Sequence, residues 1–418
     1  MIKRNILTSQ LLLNWLTRIL FFTSLASLLP ITTYTESIGG SESQVGLVMS
    51  AFAVGVLLFR PLVGKSVDSM GRKIVLIAGV VIFIISPLIY LKITSVHALL
   101  PVRLFHGLGL AAFGTASITL ITDAAPTSYR TEVISYTGMV NTIAFAAGPT
   151  LGFFIVGEWG YPALFVFASA TAGICFVLSL FLHETRAKTT QKESLNYFRV
   201  IKRRKILVAA SIILLVGLVH GGVMFFIPTF LTKITINQGL FFTVYGLTAL
   251  MIRGVVGPIT NRIGRGPLLV SSLLLLSGGV FMLSRISHSG LVLLSAAVYG
   301  LGFGSHQPTL TALVADNTEE ETRGKIFSFY YGGFDLGVSA AGFVLGKVAE
   351  IYGIENMFIL CSVIMLTATL IFSTMMESNL LASLRHAFTL IKPCKTCDIG
   401  DEYLEVPPEQ VEAYFKGK

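Results

Sequence analysis

Charge is scarce in this sequence. Asp, Glu, Lys and Arg make up 13% of the 418 residues, where a soluble chain carries about 25%. Tryptophan occurs twice, and the four cysteines form no framework: Cys175 and Cys361 lie in apolar stretches, Cys394 and Cys397 near the C-terminus. That excludes a disulfide-stapled secreted domain. Acidic residues number 22 against 31 basic ones. Met1–Gln10 is short and basic, but the apolar run after it is too long for a cleavable signal. Hydrophobic residues instead make up 53% of the chain and mean hydropathy is +0.77. The 40 glycines suit close approach of helices in lipid. The class this defines is an all-α membrane protein.

A helix needs about 20 apolar residues to cross a bilayer. Twelve segments meet this, at 11–34, 44–63, 74–94, 98–121, 132–156, 162–182, 206–231, 240–260, 267–286, 290–314, 325–349 and 355–376. The polar, basic stretch 183–205 divides them six and six. The expected organisation is an N-terminal six-helix half over 1–182, a linker over 183–205, a C-terminal six-helix half over 206–376 and a tail over 377–418. With the N-terminus cytoplasmic, 23 of the 31 Lys and Arg fall on the cytoplasmic side, and only Lys92, Lys233, Arg285 and Lys347 on the other. The positive-inside rule therefore places both termini in the cytoplasm and the chain as a multi-pass protein of the cytoplasmic membrane. This bias also accounts for the net charge of +9 without nucleic acid as a partner.

A repeat runs through the chain at an offset of 193. Phe59-Arg60-Pro61-Leu62-Val63-Gly64 matches Ile252-Arg253-Gly254-Val255-Val256-Gly257. Gly71-Arg72 matches Gly264-Arg265, Gly107-Leu108-Gly109 matches Gly300-Leu301-Gly302, and Asp123, Arg130 and Ser135 match Asp316, Arg323 and Ser328. An even number of spans per unit gives the two six-helix pseudo-repeats one orientation, the parallel repeat of transporters that rock about a central site.

These residues carry a resemblance. Gly64-Lys-Ser-Val-Asp68-Ser-Met-Gly71-Arg72-Lys73 resembles the signature loop of the major facilitator superfamily, and Gly257 to Arg265 resembles its second-half copy, with Asn261 in place of Asp68. Arg103-Leu-Phe-His106-Gly107-Leu-Gly109 is similar to the family's motif in the fourth span, with His106 where Gln is usual. Gly148-Pro149-Thr-Leu-Gly152 resembles the Gly-Pro motif of its exporters, with Phe153 in place of a second glycine. The resemblance covers about residues 8–376. It implies alternating access, a cytoplasmic latch built on Gly64, Asp68, Gly71 and Arg72, a role for Arg103 in proton coupling or substrate approach, and export by antiport through a kink at Gly148, Pro149 and Gly152.

Other residues stand out by position. Asp123 with Arg130, and Asp316 with Arg323, are spaced so that an acid ends one helix and a base begins the next, as gate pairs or as interfacial charges. Arg60 and Arg253 sit a turn before their loops, to snorkel or to brace these acids. Asp335 lies near the middle of the eleventh span with no Lys or Arg within a turn. An unpaired carboxylate there suits a proton carrier, assisted by Arg103 and His106, or a contact for a cationic group. Arg18, Asn141, His220, His306 and Gln307 are candidates to line the substrate cavity, with Arg18 as an anion contact. His220, His306 and Asp335 would hold a metal only if they converge. In the tail, Leu380, Leu381, Leu384, Phe388 and Ile391 form an apolar stripe suited to an interfacial helix. Cys394-x-x-Cys397 is one pair where zinc needs two.

No nucleophile–base set, nucleotide loop or cofactor site is legible, so an enzyme is not expected. The expected function is proton-coupled efflux of a small organic molecule, the partners being that molecule, protons and the bilayer; a monomer suffices. Proton symport on the same scaffold is the alternative, and a transporter-derived sensor using its tail a third.

Overall fold

The computed structural model describes residues 9–125, 130–185, 204–318 and 323–375. Among them the regular structure is entirely α-helical: α1 (Ser9–Ser27), α2 (Ile31–Ser37), α3 (Glu42–Met70), α4 (Arg72–Tyr90), α5 (Val96–Ala124), α6 (Arg130–Ser179), α7 (Arg204–Lys233), α8 (Gln238–Ile263), α9 (Arg265–Leu283), α10 (Ser289–Asp316), α11 (Arg323–Tyr352) and α12 (Ile354–Met375). Among the described residues, nine helical stretches are long and apolar enough to cross a membrane. α6 holds two crossings, because Gly160 (φ 78°) breaks it. α10 and α11, of 28 and 30 residues, are long enough to cross as well; they carry the polar His306, Gln307 and Asp335 among many glycines. The total is the expected twelve.

One boundary departs from expectation. The first span is not one helix but α1 and α2, joined by a turn at residues 28–30. Pro30 is the cause: it lacks an N–H for the preceding turn and opens α2.

α1, α3, α4, α5 and α6 pack against one another, and α7 to α12 do likewise. Across the middle, α3 lies on α11 and α6 on α8. Glycines set the inner spacing, and the repeat is visible in their contacts. A side chain on Gly107 would strike the Phe52 carbonyl, and one on Gly300 the Tyr245 carbonyl. Positions 107 and 300, and 52 and 245, both differ by 193. Aromatic side chains fill the gaps, as where Phe21 stacks on Phe113 with ring centroids 3.7 Å apart.

The two cross-packings are tight at one end only. The chain's basic loops define the basic end, where α3 meets α4 and α8 meets α9. Towards the opposite end, Gly46 of α3 touches the backbone of Gly342 in α11, Ser50 Oγ donates to the Ser339 carbonyl at 2.6 Å, and Gly246 of α8 abuts Ala146 of α6. Thr150 and Thr243 hydroxyls meet at 2.9 Å, and Lys233 bonds Glu42 at 2.5 Å. Gly64 lies about five turns from Gly46 on the same face of α3, and Gly257 about three turns from Gly246 on the same face of α8. A side chain at Gly64 or Gly257 would meet nothing within 4 Å. The helices therefore close at the opposite end and part towards the basic end, leaving a cleft.

Candidate functional site

At the basic end the loops repeat a single arrangement. Gly71 (φ 106°) and Gly264 (φ 84°) each turn the chain between two helices at a backbone angle that L side chains rarely adopt. The arginine after each glycine pairs with an acid ending another helix: Arg72 Nε lies 3.3 Å from Asp123 Oδ2, and Arg265 pairs with Asp316. Arg265 Nη1 also donates to the Ala312 carbonyl at 3.1 Å. The first copy has an extra support. Glu184, just past α6, accepts the N–H groups of Arg72 and Lys73 at 2.9 and 3.0 Å, and Thr185 donates to Asp123 at 3.0 Å. A carboxylate at a helix N-terminus satisfies free N–H groups and meets the positive end of the helix dipole. Glu184→Ala is therefore expected to cost about 1–2 kcal/mol, seen as a lower melting temperature of the purified chain; an unchanged melt would remove the capping role.

Asp68 is exposed and makes no ion pair among the described residues. The Arg72 guanidinium is instead engaged by Asp123. The side chains of Arg130, Arg323 and Asn261 lie outside the described residues, as do the tail stripe and Cys394 and Cys397.

Asp335 is not unpaired. Arg60 Nη1 of α3 reaches Asp335 Oδ2 of α11 at 2.6 Å. Absence of a base within a turn on its own helix says nothing of a neighbouring helix, and the long arginine side chain crosses between the two. Both side chains are partly exposed, 41% for Arg60 and 25% for Asp335, while the carboxylate oxygen that faces Arg60 is buried. Asp335 lies about two turns along α11 from Gly342, whereas Arg60 lies about four turns along α3 from Gly46 and about one turn from Gly64, so the arginine reaches across where the helices have begun to part.

Arg103 and His106 do not join it. Arg103 is buried against α3, donating to the Val48 carbonyl at 3.2 Å and lying over the Phe52 ring at 4.6 Å. His106 is fully buried, with Nδ1 3.0 Å from the Tyr90 hydroxyl and its ring against Phe83. These residues tie α5 to α3 and α4.

The candidate cavity residues form two groups. In the first, Arg18 of α1 donates to Asn141 Oδ1 (3.2 Å) and Ser117 Oγ (3.0 Å), and Ser117 donates to Asn14 Oδ1 at 2.8 Å. In the second, Arg253 of α8 donates to Gln307 Oε1 at 2.6 Å and to the Gly138 carbonyl of α6 at 3.5 Å. His220 stacks on Phe303 at 4.1 Å, with Nδ1 3.0 Å from the Tyr299 hydroxyl, and His306 Nδ1 lies 2.9 Å from the Phe303 carbonyl. His220, His306 and Asp335 do not assemble: no group of three metal-binding side chains occurs among the described residues.

The Gly-Pro segment of α6 has helical backbone; the break is at Gly160. Side chains on Gly148 and Gly152 would strike Ala26 and the Ser27 carbonyl. These glycines seat α6 on the last turn of α1.

Sequence reasoning missed Glu184, Ser117, Tyr90, Tyr245 and Tyr299. The offset gives a signal for one of them, since Tyr299 is the repeat mate of His106, and each takes part in a His–Tyr hydrogen bond of 3.0 Å.

The helices thus form a bundle of twelve crossings packed tightly at the end opposite the basic loops. The sequence matches the profile of the Major Facilitator Superfamily over residues 11–252 and 234–379, and the chain belongs to that family. It is 23% identical to the Staphylopine export protein of Staphylococcus aureus, over 79% of this chain and 87% of that one. It is 26% identical to Multidrug resistance protein 2 of Bacillus subtilis, over 73% of this chain and 84% of that one. Among solved structures, the nucleoside transporter NupG superposes with a TM-score of 0.74 at 16% identity, covering 88% of this chain and 100% of that one. The chain is thus a multi-pass membrane transporter of a small molecule.

Proposed function

We propose that the protein exports a small organic molecule from the cytoplasm in exchange for protons, by alternating access between two six-helix halves, residues 1–182 and 206–376, joined by the linker 183–205. The termini and the basic end are cytoplasmic, a reading supported by the bias of Lys and Arg to that side. The observed state is then open to the cytoplasm and sealed outside, ready to load substrate.

The observation that carries the proposal is the Arg60–Asp335 pair at 2.6 Å across the α3–α11 interface. Ionised, Asp335 ties α11 to α3 where the cleft starts. Taking up a proton removes the attraction, frees Arg60 and lets the helices slide. One proton moving inward through about 100 mV supplies about 2.3 kcal/mol, enough for roughly a 50-fold gradient of a neutral solute at about 1.36 kcal/mol per tenfold. One such carboxylate suffices. The loop pairs Arg72–Asp123 and Arg265–Asp316 act as cytoplasmic struts that keep each half rigid as it moves. The relative that is an export protein by name supports this direction.

The test is flux in everted membrane vesicles under an imposed pH gradient, with the substrate taken from comparative metabolomics of cells and spent medium. Asp335→Asn is expected to abolish the gradient-driven component, a loss of at least about 100-fold, while exchange of substrate down its own gradient persists. Driven flux that survives the substitution would remove Asp335 from coupling. Accumulation in the opposite sense would make the protein a symporter.

A further inference from the structure

The membrane-spanning helices hold an imbalance of charge. Away from the helix ends, Arg18, Arg60, Arg103 and Arg253 are set against one described carboxylate, Asp335. Arg60 consumes that carboxylate. Arg103 is turned away from the cleft, onto the Val48 carbonyl and the Phe52 ring. Two guanidiniums then have no counter-charge among the described residues. Arg18 is 4% exposed, and its partners Asn141, Ser117 and, through Ser117, Asn14 are neutral. Arg253 has only the Gln307 amide and the Gly138 carbonyl. A buried charge without a partner is expensive, and in a membrane protein such a residue marks a ligand path.

The two arginines also converge. Arg18 reaches α6 at Asn141 and Arg253 reaches it at Gly138. Those positions are three residues apart, one above the other on a single helix face, with about 4.5 Å of rise between them. α1 brings one guanidinium to that face and α8 brings the other. Asn141, Gln307 and Arg253 are each half-buried, so none of them is sealed in the protein interior. The buried Arg253 Nε has no hydrogen-bond partner, and Arg18 Nη2 donates to no described group. One turn from Gln307 on α10, the half-buried ring of Phe303 stacks on His220, with the buried rings of Tyr299 and Tyr245 packed behind them.

We propose that Arg18 and Arg253 form a paired cradle for carboxylate groups, and that the transported molecule is an organic anion with one or more carboxylates and an aromatic or apolar body. Guanidinium forks match carboxylates in shape and charge. A carboxylate seated between them would supply the missing counter-charge, and by joining α1 to α8 it would report occupancy to both halves. This inference rests on the transport reading for the word transported, but the binding claim does not.

The test uses the purified full-length chain in detergent, with thermal melting as the readout, since a ligand that binds the folded state raises the melting temperature. The probes are phthalate and benzoate, with phthalamide as the neutral isostere and benzyltrimethylammonium as the cation. The carboxylates are expected to stabilise the chain and the other two not. Arg18→Gln and Arg253→Gln should each weaken phthalate binding on the order of 30-fold, about 2 kcal/mol at 1.4 kcal/mol per tenfold, and Arg18→Lys should recover part of the loss. Should Arg18→Gln not fold, Arg18→Lys and Arg253→Gln carry the measurement. Equal stabilisation by phthalamide, stabilisation by the cation alone, no response to either carboxylate, or unchanged phthalate affinity in the arginine variants overturns the proposal. Flux separates the two readings. Carboxylate binding that needs both arginines, without proton-driven flux, upholds the cradle and ends the coupling proposal. Driven flux of a neutral or cationic compound that ignores Arg18→Gln does the reverse.

Discussion

Gly342→Leu is expected to abolish transport and leave the protein open at the end that is now sealed. Gly342 and Gly46 bring the backbones of α11 and α3 into contact, and a side chain at position 342 would also meet Ser50 Oγ. Backbone cannot step aside as a flexible side chain can. Overpacking commonly costs about 1–3 kcal/mol, and here the whole cost falls on one state, because only that state brings the two helices together. A penalty of about 3 kcal/mol shifts a two-state equilibrium on the order of 100-fold. Flux should fall by a similar factor. The position of the equilibrium can be read from a cysteine at Ser50, which is fully buried, in a chain whose four native cysteines are replaced. Its labelling by a membrane-impermeant maleimide should rise about 10-fold or more when Gly342→Leu is added. Normal flux and an unlabelled cysteine would show that this contact is not the outer seal.

Arg72→Gln should destabilise the protein far more than Arg265→Gln, although the two arginines are repeat mates with equivalent partners. The difference is burial. The Arg72 side chain is 7% exposed and Asp123 22%, against 31% and 56% for Arg265 and Asp316. Removing one member of a buried pair leaves an uncompensated charge and costs about 3–5 kcal/mol; an exposed pair contributes about 0–1 kcal/mol. Asp123 also holds Thr185, and Glu184 holds the N–H of Arg72, so the first loop binds the end of α6 as well. Melting temperatures of the two single variants, and of Arg72→Gln with Asp123→Asn, test this. The double variant should recover part of the loss, since no bare charge remains. Equal effects of Arg72→Gln and Arg265→Gln would mean the first loop has no special weight.

Composition and periodicity carry most of the architecture. Twelve apolar stretches with few charges can only be helices in lipid, because every backbone group must be satisfied within its own segment. The offset of 193 marks Gly71 with Gly264 and Asp123 with Asp316, and those positions do take equivalent geometry. Local rules reach this far because a glycine turn and a helix end depend on a few neighbouring residues. The division of the first span by Pro30 was within reach of the same rules.

Partnerships between helices were not legible. Position within a helix gives the depth of Asp335 but not its neighbour, so Arg60, on a helix far earlier in the chain, appears only once α3 and α11 are packed. Depth likewise gives no sign that Arg103 and His106 turn into the α3–α4–α5 interior while Arg18 and Arg253 meet at one face of α6. The sequence by itself determined that this chain is a helical membrane protein with a repeated plan, because hydrophobicity, charge bias and backbone chemistry act residue by residue. Only the tertiary structure decided which charges meet and which end is closed. Those outcomes depend on the rotation and tilt of whole helices, set by many glycine contacts at once.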